Sequence, residues 1–428
     1  MATLLRDHDN MDVSSDSGSE DGFYPRSSSF HLSQYSRPLI DFVKNEWQTN
    51  SKYHYHSASS SPSNTSDAPR WVQITLSLIA APRFRRYVLV YVILLISCWA
   101  CWKQVLSPRL EEHAALISSL DVHTKDQVGG WFGTNALPQF DDLVKIRTLD
   151  PSLLPSDTKA TSGPSQRRLI VVGDVHGCKA ELVKLLEKVS FNPNNGDHLI
   201  FTGDMINKGP DSLGVVDLAR KYSASCVRGN HEDRVLLLRH EMYAANTLTA
   251  DDASSAVDSK EEFLSTDYQE RKLARQLTHD QAKWLDTCPV ILKVGQIPDM
   301  GQVVVVHAGI VPGVPLEKQD PASVMNMRTI DLDTHVPSSS KSGMPWTKLF
   351  NKHQSLLYSD LKESDPDAKA STTTVIYGHD ASSSLNLKTY TKGLDSRCVK
   401  GGKLTAMVIG DGGESSTVSV KCRNYMDG

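Results

Sequence analysis

Five short apolar runs in this sequence each give way to glycine beside an acid, an amide or an imidazole. They deliver Asp174 with His176, Asp204, Asn230 with His231, then His307 and His379. Carboxylate, imidazole and amide oxygen together suit a borderline divalent cation such as zinc, manganese, iron or cobalt. The cysteines follow neither zinc-ribbon spacing nor a familiar disulfide framework. Asp174, His176, Asp204, Asn230, His307 and His379 are enough for two ions that share one carboxylate, with His231 left over. Two ions about 3.5–4 Å apart can clamp a phosphoryl oxygen and lower the pKa of a water for in-line attack at phosphorus.

The elements that must carry these groups are legible. Arg168–Val172 is an apolar, β-branched run, and Leu182, Leu185, Leu186 and Val189 then recur at helical spacing. His198–Thr202 predicts a second strand, Leu213–Ala219 a second helix, Ala224–Val227 a third strand and Val235–Leu238 the start of a third helix. A βαβαβ series of this kind implies a largely parallel sheet with helices on its faces. Ligand sites in such sheets lie just beyond the carboxyl ends of the strands. Two further strand-like runs, Gln302–Val306 and Thr374–Tyr377, end at His307 and at Gly378-His379.

Over residues 165–410 the blocks Gly173-Asp174-Val175-His176-Gly177, Gly203-Asp204-Met205-Ile206-Asn207, Gly229-Asn230-His231-Glu232, His307-Ala308-Gly309 and Gly378-His379 resemble the signature blocks of the calcineurin-like metallophosphoesterases, in the phosphoprotein-phosphatase superfamily. The resemblance implies a hydrolase with an α/β fold, a β-sandwich flanked by helices. It implies Asp174, His176 and Asp204 at one metal and Asp204, Asn230, His307 and His379 at the other. His231 would be the general acid for the leaving oxygen, which needs a pKa near the working pH. Asn207-Lys208 stands where protein phosphatases have Asp-Arg, so an amide replaces the carboxylate that orients the catalytic histidine. Lys208-Gly209-Pro210-Asp211-Ser212, Asn326-Met327-Arg328 and Gly393–Ala406 resemble the ApaH-like branch. That branch cleaves phosphoanhydrides in dinucleoside polyphosphates, polyphosphate or capped RNA, and some members dephosphorylate proteins.

Substrate charge is a second line of expectation. Lys388, Lys392, Arg397, Lys400 and Lys403 face one acid, Asp395, in the stretch after His379. Such a field favours a polyanion. Lys208, Arg228, Arg328 and Arg397 are the candidate substrate-binding residues. Trp284 and Trp346 are expected to pack, not to stack on a base. Glu232 is expected only to complement the positive end of its helix.

The flanks have another character. Residues 1–82 are expected to form a disordered cytosolic tail, rich in serine and with an acidic Ser14–Asp21 cluster. Tyr87–Trp102 is an uncharged apolar run with aromatics at both ends, which predicts a transmembrane anchor over 83–104. Arg70, Arg83, Arg85 and Arg86 precede it and outnumber the cations close behind, so the N-terminus is expected in the cytosol. Residues 105–165 are expected to be a stalk or linker and 166–428 the phosphoesterase domain, facing a lumen. This layout is similar to that of the vacuolar, zinc-dependent endopolyphosphatases of fungi. The implied cofactors are two divalent ions, zinc first, with manganese, cobalt or iron as alternatives. The implied substrate is polyphosphate at a vacuolar membrane. A dinucleoside polyphosphate, capped RNA and a phosphoprotein are the alternatives. The chain has 428 residues and a net charge of −4, which argues against a general nucleic-acid coat. One or two luminal disulfides are possible, with the pairs open.

Overall fold

The computed structural model describes residues 69–121, 143–158, 167–248 and 267–426. The tail up to residue 68, with its Ser14–Asp21 cluster, and the acidic stretch from Asp251 to Glu262 lie outside the described residues.

The strands are β1 (Ile146–Thr148), β2 (Arg168–Val172), β3 (Asp197–Phe201), β4 (Ser225–Cys226), β5 (Ile291–Ile297), β6 (Gly301–Val306), β7 (Thr329–Ile330), β8 (Pro337–Ser338), β9 (Met344–Pro345), β10 (Thr373–Tyr377), β11 (Asn386–Leu387), β12 (Thr391–Gly393), β13 (Lys403–Ile409) and β14 (Ser415–Lys421). They form a sheet of order β1-β5-β6-β10-β12-β11, a second of order β14-β13-β2-β3-β4, and a small one of order β8-β7-β9. The expected parallel run is β2-β3-β4. It is extended by an antiparallel hairpin, β13-β14, whose first strand pairs with β2.

Successive side chains of a strand point to opposite faces, and both faces of the central strands are covered. Leu169, Val171, Ile200, Val303, Val305, Ile376, Met407 and Ile409 fill the space between the two large sheets. Ile170, Val172, Leu199 and Phe201 instead meet helices on one outer side, through Leu182, Leu185, Val216 and Leu236. On the other outer side Val304, Val306, Val375 and Tyr377 pack with Trp346, Leu349 and Phe350. Each such burial stabilises by about 1.5–3 kcal/mol. The β-sandwich flanked by helices is therefore the observed fold. Its double cover explains why the strands read as unbroken apolar runs.

Helix Pro82–Cys101 holds the apolar run, and the helical course continues to Ser119; its membrane-like window has no buried residue. A helix of 20 residues spans about 30 Å, the thickness of a bilayer core. Two expected boundaries are corrected. Arg70–Ala80, placed in the tail by sequence, is helical, and Pro82 opens the next helix at a position where its missing N–H costs nothing. The stalk assigned to 105–165 contributes to the domain. Leu116 and Leu149 are core residues, Ser119 Oγ lies 2.6 Å from His335 Nε2, and β1 pairs with β5. A strand of three residues has too few positions to display a period, so the sequence reads as linker. Cys226–Cys288 and Cys398–Cys422 are disulfides, while Cys178 is buried and free.

Candidate metal centre and active site

The turns after β2, β3, β4, β6 and β10 bring the expected donors together. Asp204, His307 and His379 offer ligand atoms within 4.8 Å of one another, and so do Asp204, His176 and His231. Asp204 belongs to both groups, as a shared carboxylate must. Asn230 Oδ1 lies 2.9 Å from His307 Nε2 and 3.1 Å from His379 Nδ1. Asp174 is turned differently: its carboxylate accepts the backbone N–H of His379 at 3.0 Å. His231, and not Asp174, completes the tighter group with His176.

The close approach of these turns requires glycine at particular places. A Cβ on Gly378 would lie 2.0 Å from Asp174 Oδ1. One on Gly229 would lie 2.4 Å from the backbone nitrogen of Asp204. His176, Asp204, Asn207, Lys208, His379 and Arg397 all have positive φ. Such conformations cost energy in residues with a side chain and persist where surrounding contacts impose them.

The imidazoles are aimed from behind. His307 Nδ1 donates to the Thr202 carbonyl at 2.8 Å and His379 Nε2 to the Asn326 carbonyl at 3.1 Å. With the outer N–H anchored, the neutral form of each ring has its lone pair on the inner nitrogen. Those two lone pairs converge with the Asn230 amide oxygen, three acceptors within reach of one another, which is a cage for a cation. Burial opposes charge on His307, but Asp204 at 3.3 Å outweighs it and raises the imidazole to about 10. A divalent cation would compete for that same lone pair. Burial, then Asp395 and Asp204, hold Asp174 well above the ordinary carboxylate range. A cluster of buried carboxylates disfavours its own ionisation unless positive charge is supplied. Donor set, second-layer anchors and charge thus fit divalent metal.

Glu232, on helix Asn230–Ala244, does more than complement the helix end. Fully buried, it accepts the backbone N–H of Asp204 at 2.7 Å, Met205 at 2.8 Å, Ile206 at 3.1 Å and Gly229 at 3.0 Å. It clasps the turn after β3 to the turn after β4. His231 donates its backbone N–H to Asp204 Oδ1 at 3.1 Å, and its Nδ1 faces Asn207 Nδ2 at 2.9 Å. Burial, then Lys208 and His307, lower the His231 pKa against the pull of Asp204 and Glu270.

The cavity over the donors is lined by Lys208, Arg328, Lys341, Arg397 and Lys400 as well as by His176, Asp204, Asn230, His231 and His379. Arg328 Nε is buried and has no hydrogen-bond partner among the described residues. Lys341 was not singled out by sequence, because it lies within none of the motifs. Arg228 is a correction: it does not line the cavity but is held between Asp286 at 2.9 Å and Asp233 at 3.6 Å. Lys388 and Lys392 are also diverted, donating to Thr347 Oγ1 and the Lys388 carbonyl, and burial lowers both pKa values. Trp346 packs on Tyr377 and Phe350 in the core, as expected.

Known proteins resemble this chain in sequence. The chain is 29% identical to a zinc-dependent endopolyphosphatase of Saccharomyces cerevisiae, over 57% of this chain and 76% of that protein. It is 37% identical to a symmetrical bis(5'-nucleosyl)-tetraphosphatase of Shewanella baltica, over 26% of this chain and 40% of that protein. It is 47% identical to serine/threonine-protein phosphatase 1 of Salmonella typhimurium, over 16% of this chain and 32% of that protein. A solved structure provisionally assigned as a diadenosine tetraphosphatase is 30% identical, with a TM-score of 0.46, over 66% of this chain and 99% of that one. The calcineurin-like phosphoesterase model matches residues 167–410, a span that runs from β2 through β13 and holds every one of the converging donors. By that match this chain is a hydrolase that belongs to the calcineurin-like phosphoesterase family.

Proposed function

We propose that this chain is an endopolyphosphatase, cleaving phosphoanhydride bonds within inorganic polyphosphate. The observation that carries the reading is the ring of five cations, Lys208, Arg328, Lys341, Arg397 and Lys400, around the cavity that holds the donors. One phosphoryl group does not need five cations; a chain of phosphates does. The similarity to the yeast endopolyphosphatase supports the same substrate. No Phe, Tyr or Trp lines this cavity among the described residues, which favours a substrate without a base to stack.

Asp174, His176, Asp204, Asn230, His307 and His379 would hold two divalent ions, with Asp204 between them. Bound there, the ions supply Lewis acidity and a water of lowered pKa. Lys208, Arg328 and Arg397 hold the phosphates on either side of the scissile bond. Arg328 and Arg397 carry planar forks that fit phosphate oxygens, whereas Lys208 acts as a point charge. His231 faces the leaving oxygen and Asn207 orients its ring.

Helix Pro82–Cys101 is the membrane anchor in this reading, with the N-terminus cytosolic and the catalytic domain in the lumen of a vacuole. Two disulfides in the catalytic domain favour an oxidising compartment, independently of the flanking cations.

The test is a panel. Full-length protein is stripped with a chelator and reloaded with zinc, manganese, cobalt or magnesium. It is then given long-chain polyphosphate, diadenosine tetraphosphate, capped RNA and a phosphopeptide. Shortened chains without an early burst of monophosphate are the expected outcome. Cleavage of the other substrates but never of polyphosphate would sink the reading.

A further inference from the structure

The contacts of Asn207 reach beyond the donor set. Its Oδ1 accepts the backbone N–H of Lys208 at 2.8 Å. A backbone nitrogen can only donate, so this contact decides which end of the amide is oxygen. Nδ2 then faces His231 Nδ1 at 2.9 Å and Glu270 Oε1 at 3.3 Å. The Glu270 oxygen accepts from Nδ2, so the second contact agrees with the first. Both Nδ2 protons are committed, one to each partner. His231 Nδ1 must therefore be the acceptor, and the ring proton sits on Nε2. That nitrogen lies 3.8 Å from Asp204 Oδ2, on the side of the ring toward the donors.

We propose that Glu270 is a positioning residue: through the Asn207 amide it fixes the tautomer and the orientation of His231. Glu270 lies on helix Tyr268–Gln276, 63 residues from Asn207 in sequence. It lines a neighbouring cavity with Asn207, Lys208 and His231, and is absent from the lining of the cavity over the donors. Without Glu270, one amide proton loses its partner and the amide is held only through Oδ1. The Nε2–H of His231 is then less firmly presented to the leaving oxygen. The inference rests on the reading of His231 as the group that faces the reacting phosphate.

Steady-state kinetics of the full-length, metal-loaded protein test it, with long-chain polyphosphate and p-nitrophenyl phosphate run in parallel. Glu270→Ala should lower kcat about tenfold, the lower end for partners one layer removed from a site, with KM and metal content unchanged. Glu270→Gln keeps an oxygen that can accept the same N–H and should recover most of that loss. In the Asn207→Asp background two carboxylates face each other, so there Glu270→Gln should raise kcat instead of lowering it. Histidine nitrogen NMR of the zinc-loaded protein, assigned by difference with His231→Gln, should show the Nε2–H tautomer at His231 and a mixture in Glu270→Ala. A rise in KM in place of a fall in kcat, equal losses for the Ala and Gln variants, or an Nδ1–H tautomer in the unaltered protein would each overturn the inference. Turnover of the aryl ester without polyphosphate cleavage defeats the substrate reading alone, and the ester then decides on Glu270. The NMR result requires no turnover.

Discussion

The carboxylate of Glu232 accepts the backbone N–H of Asp204 at 2.7 Å, and two further N–H groups of the same turn point at it. The residue that both donor groups share is thus held through its main chain by a fully buried side chain. Removing the acceptor would leave buried N–H groups without partners. Glu232→Ala should cost about 3–5 kcal/mol of stability, in the range for breaking buried charged contacts. Urea unfolding measures it, and a loss below about 1 kcal/mol would show that water replaces the carboxylate.

Asp204 and His231 should separate in their effects. Asp204→Asn disturbs both donor groups and should abolish turnover together with tight metal retention. His231→Ala should lower kcat by about 10²–10⁴-fold, the usual span for a proton-transferring side chain, with metal content near that of the unaltered protein. Elemental analysis beside kinetics tells them apart. Full activity in either variant would contradict the role given to that residue.

Arg397 and Arg228 should differ in kind. Arg397 lines the cavity, and Arg397→Ala should raise KM for polyphosphate and flatten its dependence on salt. Arg228→Ala removes the guanidinium from two part-exposed carboxylates, Asp286 (which keeps His240 at 3.6 Å) and Asp233, and should cost about 1–3 kcal/mol of stability. Its effect on KM should be small. A large KM effect at Arg228 with unchanged stability would reverse the assignment.

Cys398–Cys422 ties the segment beside Arg397 to the end of β14 across a sequence separation of 24 residues. Reduction, or Cys422→Ser, should cost about 2–4 kcal/mol and raise KM for polyphosphate. Thiol counting on freshly isolated protein checks the pairing. Reactive thiols at Cys226, Cys288, Cys398 and Cys422 in unreduced protein would count against a luminal domain.

His198 gives a pH dependence away from the donors. Burial holds its pKa below the ordinary 6.5, and its Nε2 lies 2.9 Å from Ser225 Oγ. The unfolded chain therefore binds the proton more readily than the folded one. The stability linked to this ring is complete above 6.5 and is lost as pH falls from there through the lowered folded value. His198→Gln should reduce the slope of unfolding free energy between about pH 7 and about pH 5. An unchanged slope would exclude His198 as its source.

The donors were legible because each sits in a short local pattern, an apolar strand that gives way to glycine and a side chain of a type that can ligate metal. Asp174, His176, Asp204, Asn230, His307 and His379 share that pattern, and strands in one α/β fold present such ends to one edge. The apolar helix Pro82–Cys101 was legible for the same reason, since length and composition are local properties. What the tertiary structure decided was partner choice between distant positions. Arg228 adjoins Asn230 in sequence, yet Asp286, 58 residues away, takes its guanidinium. Glu270 reaches Asn207 across 63 residues and Glu232 reaches Asp204 across 28. The disulfide partners and the place of Lys341 beside the donors follow likewise from packing. A side chain's chemistry is written at its own position. Which charge or hydrogen bond it meets depends on how sheets and helices pack, and no local spacing records that.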